Sequence, residues 1–129
     1  MPYEIPFNKI SLEAAADLSA QQYKYVKVDA AGKAAAIAAA TDLPIGVLQN
    51  KPLAGAAAEI MVDGVTKLQA DAALTPGALI GTSADGQADV KVLGTDITEH
   101  ANGIVLEGAA AAGNYCTALV HCGVPNRAA

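Results

Sequence analysis

Short runs of apolar residues, several of them alternating with polar ones, follow one another along most of the chain. Glycine, proline or a cluster of small polar residues ends each run, at intervals of about 8 to 12 residues. This spacing is typical of short strands joined by turns, and it predicts an all-β fold. The predicted strands cover residues 23–28, 44–49, 59–68, 78–82, 103–107 and 115–122.

An internal repeat relates these strands to one another. Residues 46–49, Gly-Val-Leu-Gln, correspond to residues 103–106, Gly-Ile-Val-Leu. Downstream of both, a second apolar run ends in Gly-Val, at positions 64–65 and 123–124. Upstream of both lies a glycine turn, at residues 29–33 and 83–87, and the offset between the copies drifts from 54 to 59 residues. The chain is therefore predicted to contain two copies of one structural unit.

The two predicted copies of a four-strand unit, in each of which three strands are assigned above, occupy residues 18–70 and 74–125 within one domain at 18–125. Together they can form a small β-barrel or sandwich that covers its own sheet edges, which a single unit cannot do. Residues 126–129 are then a short C-terminal tail.

Residues 1–17 precede the repeat and are predicted to form an N-terminal arm. Prolines at positions 2 and 6 favour an extended chain, whereas Ser11 suits the N-cap of a short helix over residues 11–20. We therefore expect an extended or partly helical arm. It either docks on another chain or packs on its own barrel, and its apolar side chains are Tyr3, Ile5, Phe7 and Ile10.

Composition points to a thin core. Alanine supplies 30 residues, as many as valine, isoleucine, leucine and phenylalanine together, and aromatic residues are 4% of the chain. Because an alanine buries little apolar area, such a domain often depends on oligomerisation for stability. The net charge is −5 without a cluster of lysine or arginine, which argues against nucleic-acid binding. No apolar run is long enough to span a membrane, and no secretory signal is recognisable.

The candidate chemical groups are few and scattered. Cys116 and Cys122 share a face of the last predicted strand but lie about 20 Å apart in it, too far for a disulfide, so both are interpreted as buried small apolar residues. His100 lies in a polar loop. Asp63 is the counterpart of His121 in the first repeat. Together with Cys122, these two residues are the best candidates for the metal ligands of a metal-dependent hydrolase. No phosphate-binding or nucleophile motif is present, so we expect no enzyme, no catalytic residue, no cofactor and no metal ion.

The repeat segments resemble a family of small phage proteins. The similarity covers residues 18–124 and rests on the runs at 44–55, 59–67, 74–77, 82–88 and 102–111. These are similar to the capsid cement, or head decoration, proteins of tailed bacteriophages.

The resemblance implies a β-rich protein, usually a homotrimer, that binds the major capsid protein on the outer surface of the head. There it would stabilise the shell after synthesis in the host cytoplasm. Arms of cement proteins commonly bridge capsid subunits. In this chain that role would fall on the arm, and the apolar composition of the arm suggests Tyr3, Ile5, Phe7 and Ile10 as the capsid contacts.

Three alternatives stay open at this point. A tail-associated or other virion β-module could use a similar duplication. A metal-dependent hydrolase would need Asp63, His121 and Cys122 to converge. A carbohydrate-binding module is disfavoured because the chain has no tryptophan on which a sugar ring could stack.

Overall fold

The computed structural model describes residues 5–123 and 126–129, and it has nine β-strands and no helix within them. The all-β prediction is confirmed. No helix in the described part of the chain could cross a lipid bilayer. The strands are β1 Ile5–Glu13, β2 Tyr25–Val28, β3 Ala34–Ala36, β4 Gly46–Leu48, β5 Ala57–Gln69, β6 Leu79–Thr82, β7 Ala88–Val90, β8 Gly103–Glu107 and β9 Tyr115–His121.

All nine strands belong to one curled antiparallel sheet, with the order β3-β2-β4-β5-β9-β8-β6-β7 and with β1 paired to β5. Strand β5 divides the sheet into two halves. Residues 57–62 of β5 form the N-terminal half with β2–β4 and most of β1, and residues 63–69 form the C-terminal half with β6–β9. Residues 63–65 also pair with the beginning of β1. The pairing order is the same in both halves.

Each half curls back on itself. Its outermost strand, β3 or β7, meets the residue that follows β1 or β5, respectively. A bridge joins Ala14 to Ala34 in the N-terminal half, and a bridge of the same type joins Ala70 to Ala88 in the C-terminal half. Alanine has no side chain beyond Cβ, so the backbones can approach closely at these points. The sheet thereby covers its edges within each half.

The β2–β3 and β6–β7 turns show how the same geometry arises from different residues. Asp29 Oδ1 accepts hydrogen bonds from the N–H groups of residues 31 and 33, and Ser83 Oγ accepts them from residues 85 and 87. Gly32 and Gly86 have φ of 79° and 83°, a left-handed conformation that other residues adopt at a cost. Both turns match the sequence prediction.

Strand β1 is extended through Glu13, so of the two alternatives for the arm the structure has the extended one. Ser11 lies in this strand opposite Glu59 and does not cap a helix. The reason is tertiary: an extended β1 places Ile10 opposite Ile60 and Leu12 opposite Ala58, against the core. The described part of the arm, from Ile5 onward, therefore packs on its own sheet. The predicted domain boundaries at residues 17, 18 and 125 remain predictions.

Two apolar clusters fill the molecule. One lies in the N-terminal half and includes Val26, Leu48 and Ile60. The larger one lies in the C-terminal half and contains Tyr25 and Val47 of the N-terminal half as well. One face of the N-terminal sheet thus covers the core of its own half, and the other face, with Tyr25 and Val47, packs into the core of the C-terminal half.

Hydrogen bonds fix this insertion. Tyr25 N donates to Gly86 O at 2.7 Å, and Gln49 Nε2 donates to Thr66 Oγ1 at 2.9 Å. Tyr23, which the sequence assigned to a strand, lies just before β2 with φ of 61°. Its N–H donates to Leu48 O and its carbonyl accepts from Gln69 N, so both halves hold this unusual backbone conformation.

The loop before β4 is held by Asp42. Its Oδ2 accepts hydrogen bonds from Ala38 N, Lys27 Nζ and Ala39 N, at 2.9, 2.9 and 3.1 Å. The backbone bond from Ala38 and the Lys27 ammonium hold the pKa of this carboxyl below its ordinary value. The charged form is therefore favoured more in the folded than in the unfolded chain.

We predict that Asp42→Asn lowers the free energy of unfolding by about 1 to 2 kcal/mol at neutral pH. A depressed folded-state pKa contributes stability above the unfolded pKa, near pH 4, and this contribution is lost as the pH falls further. The difference between wild type and variant should therefore shrink below about pH 4. Denaturant unfolding across pH measures it, with the exposed turn residue Asp85→Asn as the control. A constant difference at all pH values would contradict the assignment.

Candidate interaction surface

The outer face of the C-terminal half carries a row of aliphatic side chains that crosses five strands. Residues directly opposite each other in neighbouring strands have their side chains on the same face of the sheet. Following these pairs from strand to strand gives one residue in each of the five strands. We call this set the aliphatic row; from β6 through β8, β9 and β5 to β1 it consists of Leu79, Ile104, Leu119, Val65 and Ile5.

Much of the row is accessible to solvent. Ile104 is 44% exposed, Leu119 37% and Ile5 49%, whereas Val65 is buried. An open groove of about 340 Å³ follows the row over Leu79, Ile104 and Leu119. Contiguous exposed aliphatic residues are typical of a surface that binds another macromolecule.

Polar groups border the groove at one end. Asn102, Asn126 and His121 line it, and the buried side-chain oxygen of Asn102 has no hydrogen-bond partner among the residues that the structure describes. His121 Nδ1 lies 2.6 Å from Asp63 Oδ1, because the two residues are directly opposite in β9 and β5. The surface therefore combines an apolar centre with hydrogen-bonding groups at its border.

A buried ion cluster fixes the loop that supplies Asn102. Lys91 Nζ lies 2.5 Å from Glu99 Oε1 and 3.1 Å from Asp89 Oδ2, and its side chain is fully buried. Burial by itself would lower the pKa of Lys91, but the two carboxylates outweigh it and the pKa is raised. The lysine stays charged and ties the loop to β7.

The residues predicted to contact a capsid are separated by the structure. Ile5 is exposed at the end of the aliphatic row, whereas Ile10 packs inward against both core clusters. Tyr3 lies outside the described residues, as does the side chain of Phe7. The predicted capsid contact itself stays a prediction.

The three residues considered for a metal hydrolase do not converge. Asp63 and His121 pair on the outer face, whereas Cys122 is buried in the C-terminal core on the other side of the sheet. Burial, and secondarily the charge of Asp63, raises the pKa of the Cys122 thiol to about 12. The described residues contain no group of three or more His, Cys, Asp or Glu side chains that could hold a metal ion.

Sequence reasoning missed the aliphatic row as a surface, although the signal was present. The run at 103–107 is apolar on both of its alternating faces, and so is the corresponding run at 46–48. A strand that is apolar on both faces has a partner on each side. In β4 both faces are indeed buried, whereas in β8 Ile104 and Leu106 are exposed.

Comparison with known proteins shows similarity of fold only. No protein-family model matches the chain, and no curated protein matches it either. A solved structure that does match is the head fiber gp8.5 N base of bacteriophage phi29, with a TM-score of 0.64 and 16% sequence identity. The match covers 88% of this chain and 92% of that chain. At this identity, the similarity shows that the two chains share a fold.

The two cysteines give a direct test of the packing. Both are free and buried, and burial raises the pKa of Cys116 to about 11. Because the thiolate is the reactive form, we predict that neither thiol of the native protein reacts with an aromatic disulfide reagent at pH 8. Both should react at once in concentrated guanidinium chloride. Rapid modification of the native protein would contradict the inward placement of these side chains.

Proposed function

We propose that this chain is a structural, non-catalytic virion protein associated with a phage head. The observation that carries the proposal is the shared fold with the phi29 head fiber gp8.5 N base over almost the whole of both chains. The resemblance of residues 18–124 to head decoration proteins supports the same location. It comes from the sequence and is independent of the fold comparison.

The more specific proposal is a cement protein on the outer surface of the capsid. The chain would assemble as a homotrimer in the host cytoplasm, bind the major capsid protein and stabilise the shell. A small domain makes a weak contact by itself, but several linked contacts in one trimer give high avidity. The exposed aliphatic side chains and the few charges around them suit such contacts.

The non-catalytic part of the proposal is supported by the chemistry of the described residues. The one close acid–histidine pair, Asp63 with His121, is solvent-exposed, and the neighbouring thiol of Cys122 faces the core as a protonated group. Catalytic groups usually act together within a cleft. Here the adjacent groove is lined mainly by aliphatic side chains.

The same comparison favours a second candidate, the base of a head fibre. In that case the chain would anchor a longer fibre to the head instead of stabilising the shell. The two candidates differ in one measurable property, the effect on the physical stability of the shell.

We predict that the purified protein binds expanded heads made by a phage that lacks the gene for this protein. Binding should raise the temperature at which these heads release DNA. Binding is measured by co-sedimentation and shell stability by a DNA-release assay. Binding without a change in the release temperature would favour the fibre base over the cement protein. A failure to bind any head of the encoding phage would refute the proposal for both.

We predict that Ile5→Glu weakens head binding about tenfold or more, since a carboxylate replaces an exposed aliphatic anchor at the proposed contact. The fold should persist because this side chain is half exposed. Ile97→Glu, at an equally exposed aliphatic residue in the loop after β7, is the matched control. Deletion of residues 1–10 is unsuitable because it would remove most of β1 from the sheet. If both variants bind like the wild type, Ile5 has no part in attachment.

A further inference from the structure

The two halves of the sheet have equivalent positions, and the register identifies them. Tyr25 pairs with Val47, which pairs with Met61, in the N-terminal half. The corresponding row in the C-terminal half runs from Leu79 through Ile104 to Leu119. Both rows lie on the face of the sheet that points away from the core of their own half.

These equivalent rows differ sharply in environment. Tyr25, Val47 and Met61 are completely buried, because the C-terminal half packs on Tyr25 and Val47. Ile104 and Leu119, by contrast, are 44% and 37% exposed. The C-terminal half therefore presents the same face that, in the N-terminal half, forms the contact between halves.

The other side of that contact also has an equivalent. In the C-terminal half, the turn at Gly86 receives Tyr25: a Cβ added to Gly86 would lie 2.8 Å from Tyr25 O. In the N-terminal half the equivalent Gly32 has nearly the same φ, yet no described residue lies within 4 Å of its Cβ position. The receiving side of the N-terminal half is thus open at the Gly32 turn, although the core residues of the same half, such as Ala34 and Leu48, are buried.

A second pair of contact positions points to what occupies the open side. Gln49 and Thr66 form a polar pair in the contact between the halves, joined by a side-chain hydrogen bond. The repeat places Leu106 at the position of Gln49, and Ile10 at the position of Thr66. Leu106 is 40% exposed, and Ile10 is only partly buried. The polar pair within the chain is therefore matched by an exposed leucine and by an isoleucine that packs against both core clusters but keeps part of its surface accessible.

We propose that a second copy of this chain completes the contact, head to tail. Leu79, Ile104 and Leu106 of one copy pack on the open side of the N-terminal half of the next copy, around Ile10 and the Gly32 turn. The two surfaces are different, so the interface is heterologous and generates a closed ring if the rotation permits. The trimer of the proposed function is one such ring. The inference names its interface but rests on the repeat, not on head binding.

Engineered cysteines test the register. Equal amounts of two variants, Leu106→Cys and Ile10→Cys, are mixed and oxidised. The native thiols are buried and stay out of the reaction. The proposal predicts a disulfide-linked dimer in the mixture and at least a tenfold smaller yield from Leu106→Cys alone. A face-to-face contact between identical surfaces would instead link Leu106→Cys to itself, and that result would overturn the proposal.

The mixture of Leu53→Cys with Ile10→Cys is the matched control, since Leu53 is 63% exposed but lies in a turn outside the proposed interface. It should give only background cross-linking. Circular dichroism on each reduced variant shows whether the β-sheet is retained. Leu12→Cys, next to Ile10 on the same face of β1, replaces Ile10→Cys if that variant fails to fold.

Sedimentation of the full chain measures the association itself. The mass of the wild type should rise with concentration above the 12.9 kDa of one chain. Ile104→Glu should weaken association about tenfold or more, because it places an unpaired charge in the contact, whereas Leu53→Glu should not. A monomer at all concentrations and no cross-link, in solution or on heads, would overturn the inference. Loss of head binding with association intact would refute only the proposed function.

Discussion

Strand β5 belongs to both halves of the sheet, and this sharing determines how the rest of the molecule is arranged. Residues 57–65 of β5 pair with β1, residues 60 and 61 with β4, and residues 63–69 with β9. A continuous backbone fixes the two halves at one distance and one angle. The outer face of the first half is thereby brought to the core of the second.

The insertion compensates for a core made largely of alanine. In the C-terminal half, Ala70, Ala88, Ala109 and Ala118 are core residues, and they bury little area by themselves. Tyr25 supplies the missing volume from the other half, and it is the largest fully buried side chain in the described structure. Its hydroxyl has no partner among the described residues. Burying this hydroxyl without a hydrogen bond costs free energy, which the packing of the ring has to offset.

The repeat made most of the fold predictable from the sequence, because strands, turns and their order recur with nearly constant spacing. Strand β3 (Ala34–Ala36) and strand β7 (Ala88–Val90) were missed as separate strands, since three residues rich in alanine carry no periodic signal. Strand β1 was ambiguous because Ser11 and the alanines after it favour a helix locally. Its pairing with β5, almost fifty residues away in the chain, decides otherwise.

The candidate surface was less predictable because exposure depends on what covers a face, and no local pattern encodes that. The runs at 46–48 and 103–107 are equally apolar, yet only the first is covered by another part of the chain. The prediction that Ile10 contacts a capsid had the same limitation. Its apolar character was visible in the sequence, but its position against both cores was not.

The differences between the two halves carry information that their similarity does not. Identical units would place a glutamine at position 106 and a threonine at position 10, as at Gln49 and Thr66, where the two side chains bond to each other. The chain has Leu106 and Ile10 instead. Ile10 packs against both core clusters of its own chain, whereas Leu106 is 40% exposed. Because exposed aliphatic groups favour association, Leu106 is the difference between the halves on which the proposed contact between copies mainly depends.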